Sequence, residues 1–294
     1  PPPHPNPPPP PRPLPAPPAP TPPRHHHSPG GVFAKQVGPF KAFFWSQLVG
    51  FLSLLFLAFF LFSGLQPSIL IGGLCAVAAV IYAAGYLFFF RGFEIGNVSI
   101  VAATMNLWAV FTMLFAFLFM GQRLSSLQAL GVTLIIGGAT LASLRWDALR
   151  NQNVRLSAGV REAVIGAFLF GVFWNVSEFI SEQIGWLFST LAIKLGIVLF
   201  LSSFSLLAKR GIRMCGAKAQ TRATILLMGV IEAGTVALVN YGLTIGEAIL
   251  ITPISSALSM VTIALAILFL KENVTRLQAT GMILAVTGII LTAF

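Results

Sequence analysis

The chain has 294 residues, 56% of them hydrophobic and 9% charged, with a mean hydropathy of +0.87 and a formal net charge of +10. Soluble domains carry about 25% charged residues, so the composition excludes an ordinary water-soluble protein and points to a membrane protein. All four histidines (His4, His25, His26, His27) lie in the Pro-rich head and Asp147 is the sole aspartate, which removes most zinc, triad and Asp-rich metal chemistry from the remainder; no metal or cofactor is expected.

Of the 20 prolines, all but Pro39, Pro67 and Pro253 fall in residues 1–29. Multiple prolines remove backbone donors and hold the chain extended, so residues 1–31 read as a disordered, polyproline-like segment. After it come apolar runs of a length that spans a hydrocarbon core, for which about 20 residues are needed. They occupy 43–63, 68–90, 97–120, 127–144, 163–183, 187–208, 224–243, 247–270 and 277–294. Connections are brief except 145–162 and 209–223, and no soluble domain fits between the spans. The lysines and arginines of 35–41, 91, 145–161, 209–222 and 271–276 all fall on one side of this plan, and the opposite side holds Arg123. That asymmetry is a positive-inside signal; it places the two long loops in the cytoplasm and the C-terminus outside. It also accounts for the net charge without nucleic acid, since no basic patch is interleaved with stacking aromatics. Cys75 and Cys215 stand in an apolar run and a basic loop, and no disulfide is expected.

The sequence repeats itself. With a shift of 150 residues, 80–144 lies without a gap on 230–294, pairing Gly92 with Gly242, Gly96 with Gly246, Thr112 with Thr262, Gln128 with Gln278, Gly131 with Gly281 and Gly138 with Gly288. Upstream the shift becomes 147, and "SEQIG" (181–185) falls on "AKQVG" (34–38). Each repeat is thus a five-helix unit, and an odd number of spans inverts the second copy across the membrane. The end of the fourth helix, a short turn and a Gly-bearing fifth helix read "LFMGQRLSSLQALGVTLIIGG" and "LFLKENVTRLQATGMILAVTG". This resembles the EamA branch of the drug/metabolite transporter superfamily, over about 32–294. The resemblance implies two inverted repeats in ten helices, a bacterial plasma-membrane location and transport of a metabolite. The family commonly has an acid in that turn; Glu272 matches it, while the first repeat has Gln122. The fold expected is an all-α polytopic membrane protein with an incomplete first repeat (32–144), a cytoplasmic linker (145–162) and a second repeat (163–294). The 147-residue shift lays the apolar body of 163–181 on 16–34, where "APPAPTPPRHHHSPGGVFA" stands. The Pro-rich head therefore replaces the first of ten helices, and reads as a wrong start, an unspliced segment or a frame error rather than a recognition arm.

Charges inside a membrane helix cost about 2.5–3.5 kcal/mol each on insertion scales. Four occur in the second repeat: Glu178, Glu182, Lys194 and Glu232. Glu178 and Lys194 flank the turn near Gly185 at similar depth and are candidates for an ion pair; the alternative is that Lys194 snorkels to the interface. Glu232 stands near the middle of its span. With Asn240 on the same helix, and Trp174, Asn175 and Glu178 on the helix at 163–183, it is expected to line a central cavity, binding a cationic group or cycling a proton. The competing view is a protonated structural carboxyl bonded to a neighbouring helix. The first-repeat equivalents of Glu232 and Lys194 are Tyr82 and Gln47, neutral donors and acceptors. Pro253 leaves a carbonyl free in its span, Ser255 and Ser256 follow, and Asn106 is the counterpart of Ser256. Trp45, Tyr86, Trp108 and Tyr241 read mainly as packing or interfacial aromatics, and the Gly-rich spans 127–144 and 277–294 as close-packing surfaces.

The leading function is a secondary transporter of a small organic metabolite, such as an amino acid or amine, by alternating access, with proton coupling through Glu232 as an option. Alternatives are an exchanger of sugar-type or phosphorylated metabolites, which should show more cavity Arg or Lys, and a non-transporting membrane assembly partner. A multi-pass membrane enzyme lacks the His and Asp it would need. The partners expected are a small solute and the lipid bilayer, with a homodimer left open.

Overall fold

The computed structural model describes residues 37–61, 68–96, 98–143, 158–214, 217–257 and 275–292. The Pro-rich segment, most of the linker 145–162, Cys215 and Glu272 lie outside them. Ten helices are described: α1 (Pro39–Phe60), α2 (Ile69–Ile95), α3 (Val98–Met105), α4 (Leu107–Phe119), α5 (Ser126–Ser143), α6 (Val160–Ile184), α7 (Trp186–Leu207), α8 (Ala219–Ile245), α9 (Ala248–Ser256) and α10 (Arg276–Thr292). They match the predicted spans, with two refinements. The span at 97–120 is divided at Asn106 into α3 and α4, and α9 is the described part of 247–270. Six segments are long and apolar enough to cross a membrane; Ser126–Ala142 and Arg276–Thr292 are shorter. The protein is an all-helical, multi-pass membrane protein. Its helices satisfy their own backbone groups, as a bilayer demands, and present large apolar side chains outward, among them Phe59, Phe60, Leu206 and Leu207.

Lipid tails are as apolar as leucine, so these helices associate through close backbone packing rather than through burial of apolar surface from water. The densest interface joins α5 to α10. There the predicted glycine pairs cross over: Gly131 faces Gly288, and Gly138 faces Gly281. A Cβ on Gly138 would stand 2.5 Å from the Gly281 carbonyl oxygen, and one on Gly281 would stand 2.6 Å from that of Gly138. Because residue and counterpart exchange partners, a pseudo-twofold axis passes between the two helices. Both begin in the same way. The Ser125 amide donates to Gln128 Oε1 at 3.0 Å and the Thr275 amide to Gln278 Oε1 at 3.1 Å, each returned by the Gln amide. These reciprocal caps explain the paired Leu-Gln-Ala of the sequence.

The repeats also interlock through α1 against α8 and α2 against α7, which are symmetry-related contacts. The α2–α6 interface is a reciprocal notch: the Phe170 ring seats on Gly85 and the Phe89 ring on Gly166, the two rings stacking at 5.0 Å. Gly185 alone connects α6 to α7, at φ +81, a left-handed conformation that glycine adopts without steric cost. It folds the two helices back antiparallel.

Candidate transport cavity

A cavity of about 570 Å³ lies between α2, α3, α4, α6, α8 and α9. Its walls carry the rings of Tyr86, Phe89, Trp108, Phe170 and Trp174, the Asn106 and Ser256 side chains, and the Glu232 carboxylate. Asn106 and Ser256 are repeat counterparts; Asn106 stands at the break between α3 and α4, and Ser256 is the last residue of α9. The Asn106 amide turns back to the Ala103 carbonyl at 3.2 Å, and the Ala257 amide to that of Ile254 at 3.1 Å. Pro253 lies inside α9, whereas the α3–α4 break at Asn106 forms with no proline.

Glu232 holds the site together. One carboxylate oxygen accepts from the Tyr82 hydroxyl and the other pairs with the Lys194 ammonium. Lys194 Nζ donates a further bond to Gln47 Oε1 at 2.7 Å and lies 5.5 Å from the centre of the Tyr82 ring. Gln47, Tyr82, Lys194 and Glu232 come from α1, α2, α7 and α8. They are two counterpart pairs, separated by 147 and 150 residues, and so they sit around the pseudo-twofold axis. Lys194 is 1% exposed, whereas Glu232 keeps 21% of its side chain open to the cavity. Burying an ammonium in this way is tolerable because two acceptors compensate it.

Several predicted candidates lie elsewhere. Glu178 does not pair with Lys194. It points to the start of α9, where its Oε1 accepts from the Ala248 amide at 2.8 Å and from Gln122 Nε2 at 2.9 Å; Gln122 Oε1 accepts from the Ile249 amide at 3.0 Å. These bonds satisfy amides at a helix N-terminus that otherwise have no intrahelical partner. Equal depth on adjacent helices had suggested a Glu178–Lys194 pair, but Lys194 faces α1 and α8. It does not snorkel either. Asn240, fully buried, accepts from Ser177 Oγ at 2.9 Å and donates to Thr190 Oγ1 at 2.8 Å, fastening α8 to α6 and α7 behind the cavity. Asn175 Nδ2 donates to the Thr112 carbonyl at 3.0 Å and to that of Gly171 at 2.8 Å, so it turns to α4. Glu182 is exposed. Trp174, Tyr86, Trp108, Ser255 and Ser256 do line the cavity. Trp45 Nε1 instead donates to the Ile212 carbonyl at 2.8 Å, and Tyr241 packs edge-on to Trp186 at 5.8 Å. Gln122 was marked only by its turn position, and Met228 and Ile231, which also line the cavity, carried no signal beyond hydrophobicity.

The cavity extends unevenly. It reaches Phe93 and Ala102 beside the α2–α3 junction. At the opposite end the Gln122–Glu178–α9 bonds draw the helices together.

Known proteins place this architecture. An uncharacterized protein of Methanocaldococcus jannaschii is 35% identical over 133 residues, which are 94% of that protein and 44% of this chain; that relative is about one repeat long. A crystal structure shares the fold with a TM-score of 0.70 at 14% identity, covering 89% of this chain and 91% of its own. The EamA-like transporter family matches residues 30–144 and 158–294, one match for each repeat. Two family matches laid over the two halves of an internally repeated, membrane-spanning bundle leave one assignment: the chain belongs to the EamA-like transporter family.

Proposed function

We propose that the protein is a secondary transporter of a small organic metabolite carrying a cationic or zwitterionic nitrogen group, such as an amino acid or amine, in a bacterial plasma membrane. The observation that carries this reading is Glu232. It is the one charged side chain described on the cavity wall, it is held on the pseudo-twofold axis by Tyr82 and Lys194, and it remains partly open to the cavity. A volume of about 570 Å³ falls in the range of small-ligand sites. Aromatic faces around a carboxylate suit a cation with an apolar body. A phosphorylated solute is less well served, because Lys194 is spent on Glu232 and Gln47 and no lysine or arginine lies among the described lining residues. The inverted repeats support alternating access, and the α3–α4 break lies at the site as broken helices do in other secondary transporters.

Flux into sealed proteoliposomes from a panel of amines, amino acids and sugar phosphates tests the proposal. The expected result is uptake of a nitrogen-bearing cation or zwitterion that is lost in Glu232→Gln. Uptake of sugar phosphates alone would instead identify an exchanger. A folded protein inert to the whole panel would favour an assembly partner.

A further inference from the structure

The cavity wall has a second polar position, on α4 and α6, two helices that contribute nothing to the Gln47–Tyr82–Lys194–Glu232 quartet. Trp108 and Trp174 stand there with their rings 5.9 Å apart, and Trp174 is 7% exposed. Neither indole N–H has a hydrogen-bond partner among the described residues, whereas Trp45 donates its own to the Ile212 carbonyl. A buried indole ordinarily finds an acceptor. The described side-chain atoms that are enclosed with no partner are Asn175 Oδ1 and Glu178 Oε2. Trp174 Nε1 is not one of them, so it keeps contact with open space, and the space beside Trp174 is the cavity. Most other donors of the described wall are committed. The Thr235, Ser255 and Ser256 hydroxyls donate to carbonyls of their own helices, those of Ile231, Ile251 and Pro253. The Tyr82 hydroxyl donates to Glu232, and Tyr86 lies against Tyr82 at 4.9 Å between ring centres. Charge narrows the ligand further. Lys194 cancels Glu232, so the quartet carries no net charge. A lone ammonium brought among these rings would stay uncompensated, and a buried charge is costly unless paired. A zwitterion enters with its charges balanced.

We infer that Trp174 and Trp108 form a carboxylate subsite, and that the solute is a zwitterion with an apolar side chain. Its ammonium group meets the open part of the Glu232 carboxylate, and its own carboxylate accepts from the indole N–H groups. Its side chain lies against Met228, Ile231 and the ring faces of the wall. Neutral donors suit this place, because a lysine or arginine here would give the balanced site a net positive charge. The inference rests on the transport reading for the ammonium end and supplies the group that stands at the other end.

Binding to the full chain in detergent, measured by calorimetry, tests this with leucine, phenylalanine and two truncations of each. The amines lack the carboxylate (isoamylamine, phenethylamine), and the acids lack the amino group (4-methylpentanoate, 3-phenylpropionate). The amino acids are expected to bind at least about tenfold more tightly than the amines, a ratio that corresponds to about 1.4 kcal/mol. Trp174→Phe keeps a ring in place and deletes the N–H. Combined with Trp108→Phe, it is expected to cost the amino acids about tenfold more affinity than it costs the amines. A merely structural role for the indoles would weaken both classes alike. Equal affinity of amines and amino acids for the parent protein, a comparison that needs no variant, overturns the inference. Equal weakening of both classes in the double variant overturns it too. Acids that bind as tightly as the amino acids would overturn the ammonium contact at Glu232 while the indole subsite stands. A folded protein that binds none of the six overturns both.

Discussion

At the centre of the first repeat α1 and α2 present Gln47 and Tyr82; at the same places in the second repeat α7 and α8 present Lys194 and Glu232. The halves share a chain path and a capping turn, yet one supplies charge and the other neutral partners. Had both carried Lys and Glu, four charges would crowd the axis. Had neither, no charge would face the cavity. With one charged repeat and one neutral repeat, each ion gains both its opposite charge and a neutral hydrogen-bonding partner. The α5–α10 interface shows the reverse situation: equal glycines at equal places, with no chemistry to divide. Symmetry is kept where backbones must approach and given up where a site needs a sign.

The sharpest way to break the comparison is to remove one charge. Lys194→Met leaves the Glu232 carboxylate facing an apolar wall, and breaking a buried pair from one side costs about 3–5 kcal/mol. A fall of that size in unfolding free energy, measured in detergent, is expected. Lys194→Met with Glu232→Gln should recover most of it. If the double variant is no better than the single one, the loss came from packing and the charge asymmetry has no energetic content.

Equivalence of the repeats at α5–α10 is tested by Gly138→Val and Gly288→Val. Each forces side-chain atoms into a facing backbone, an overpacking that costs about 1–3 kcal/mol, and the two losses should match. Gly137, beside which a Cβ would meet nothing within 4 Å, should accept alanine within about 0.5 kcal/mol. A large difference between positions 138 and 288 would mean that the axis does not run between these helices.

Much of this was legible in the sequence. The offsets of 147 and 150 residues name the counterpart pairs, and groups on a twofold axis meet their own counterparts, so the pairing of Tyr82 with Glu232 and of Gln47 with Lys194 was implicit in the alignment. What failed was the assignment of helix faces. Asn240 is eight residues beyond Glu232, about 80° further round at 3.6 residues per turn, enough to turn it from the cavity to α6 and α7. Glu178 shares a face with Trp174 but lies one turn, about 6 Å, nearer the α8–α9 end, where α9 offers its free amides. Neither helix rotation nor the position of a third helix can be read from periodicity in a chain that is apolar on all sides.

The Gln122–Glu178 clamp follows in expected size. Glu178→Ala leaves the Ala248 amide and the Gln122 side chain without their acceptor in a buried place, at about 1–2 kcal/mol. Glu178→Gln retains an acceptor oxygen and should lose less than half of that. Equal losses in the two variants, measured as unfolding free energies in detergent, would show that the acceptor oxygen carries none of the clamp's stability.

A small effect is expected at Tyr82. Tyr82→Phe and Gln47→Leu each delete the neutral first-repeat partner of a second-repeat ion, but the ions differ in access to water. Lys194 is 1% exposed, so the bond lost from Gln47 has no replacement; Glu232 is 21% exposed, so water entering from the cavity can take over from the tyrosine hydroxyl. Gln47→Leu should therefore cost about 1.5–3 kcal/mol, the scale of a bond to a charged group, and Tyr82→Phe about 1 kcal/mol or less. Equal losses, measured as unfolding free energies in the same detergent, would show that water does not reach Glu232, and a carboxylate that water cannot reach could not receive a cation from the cavity.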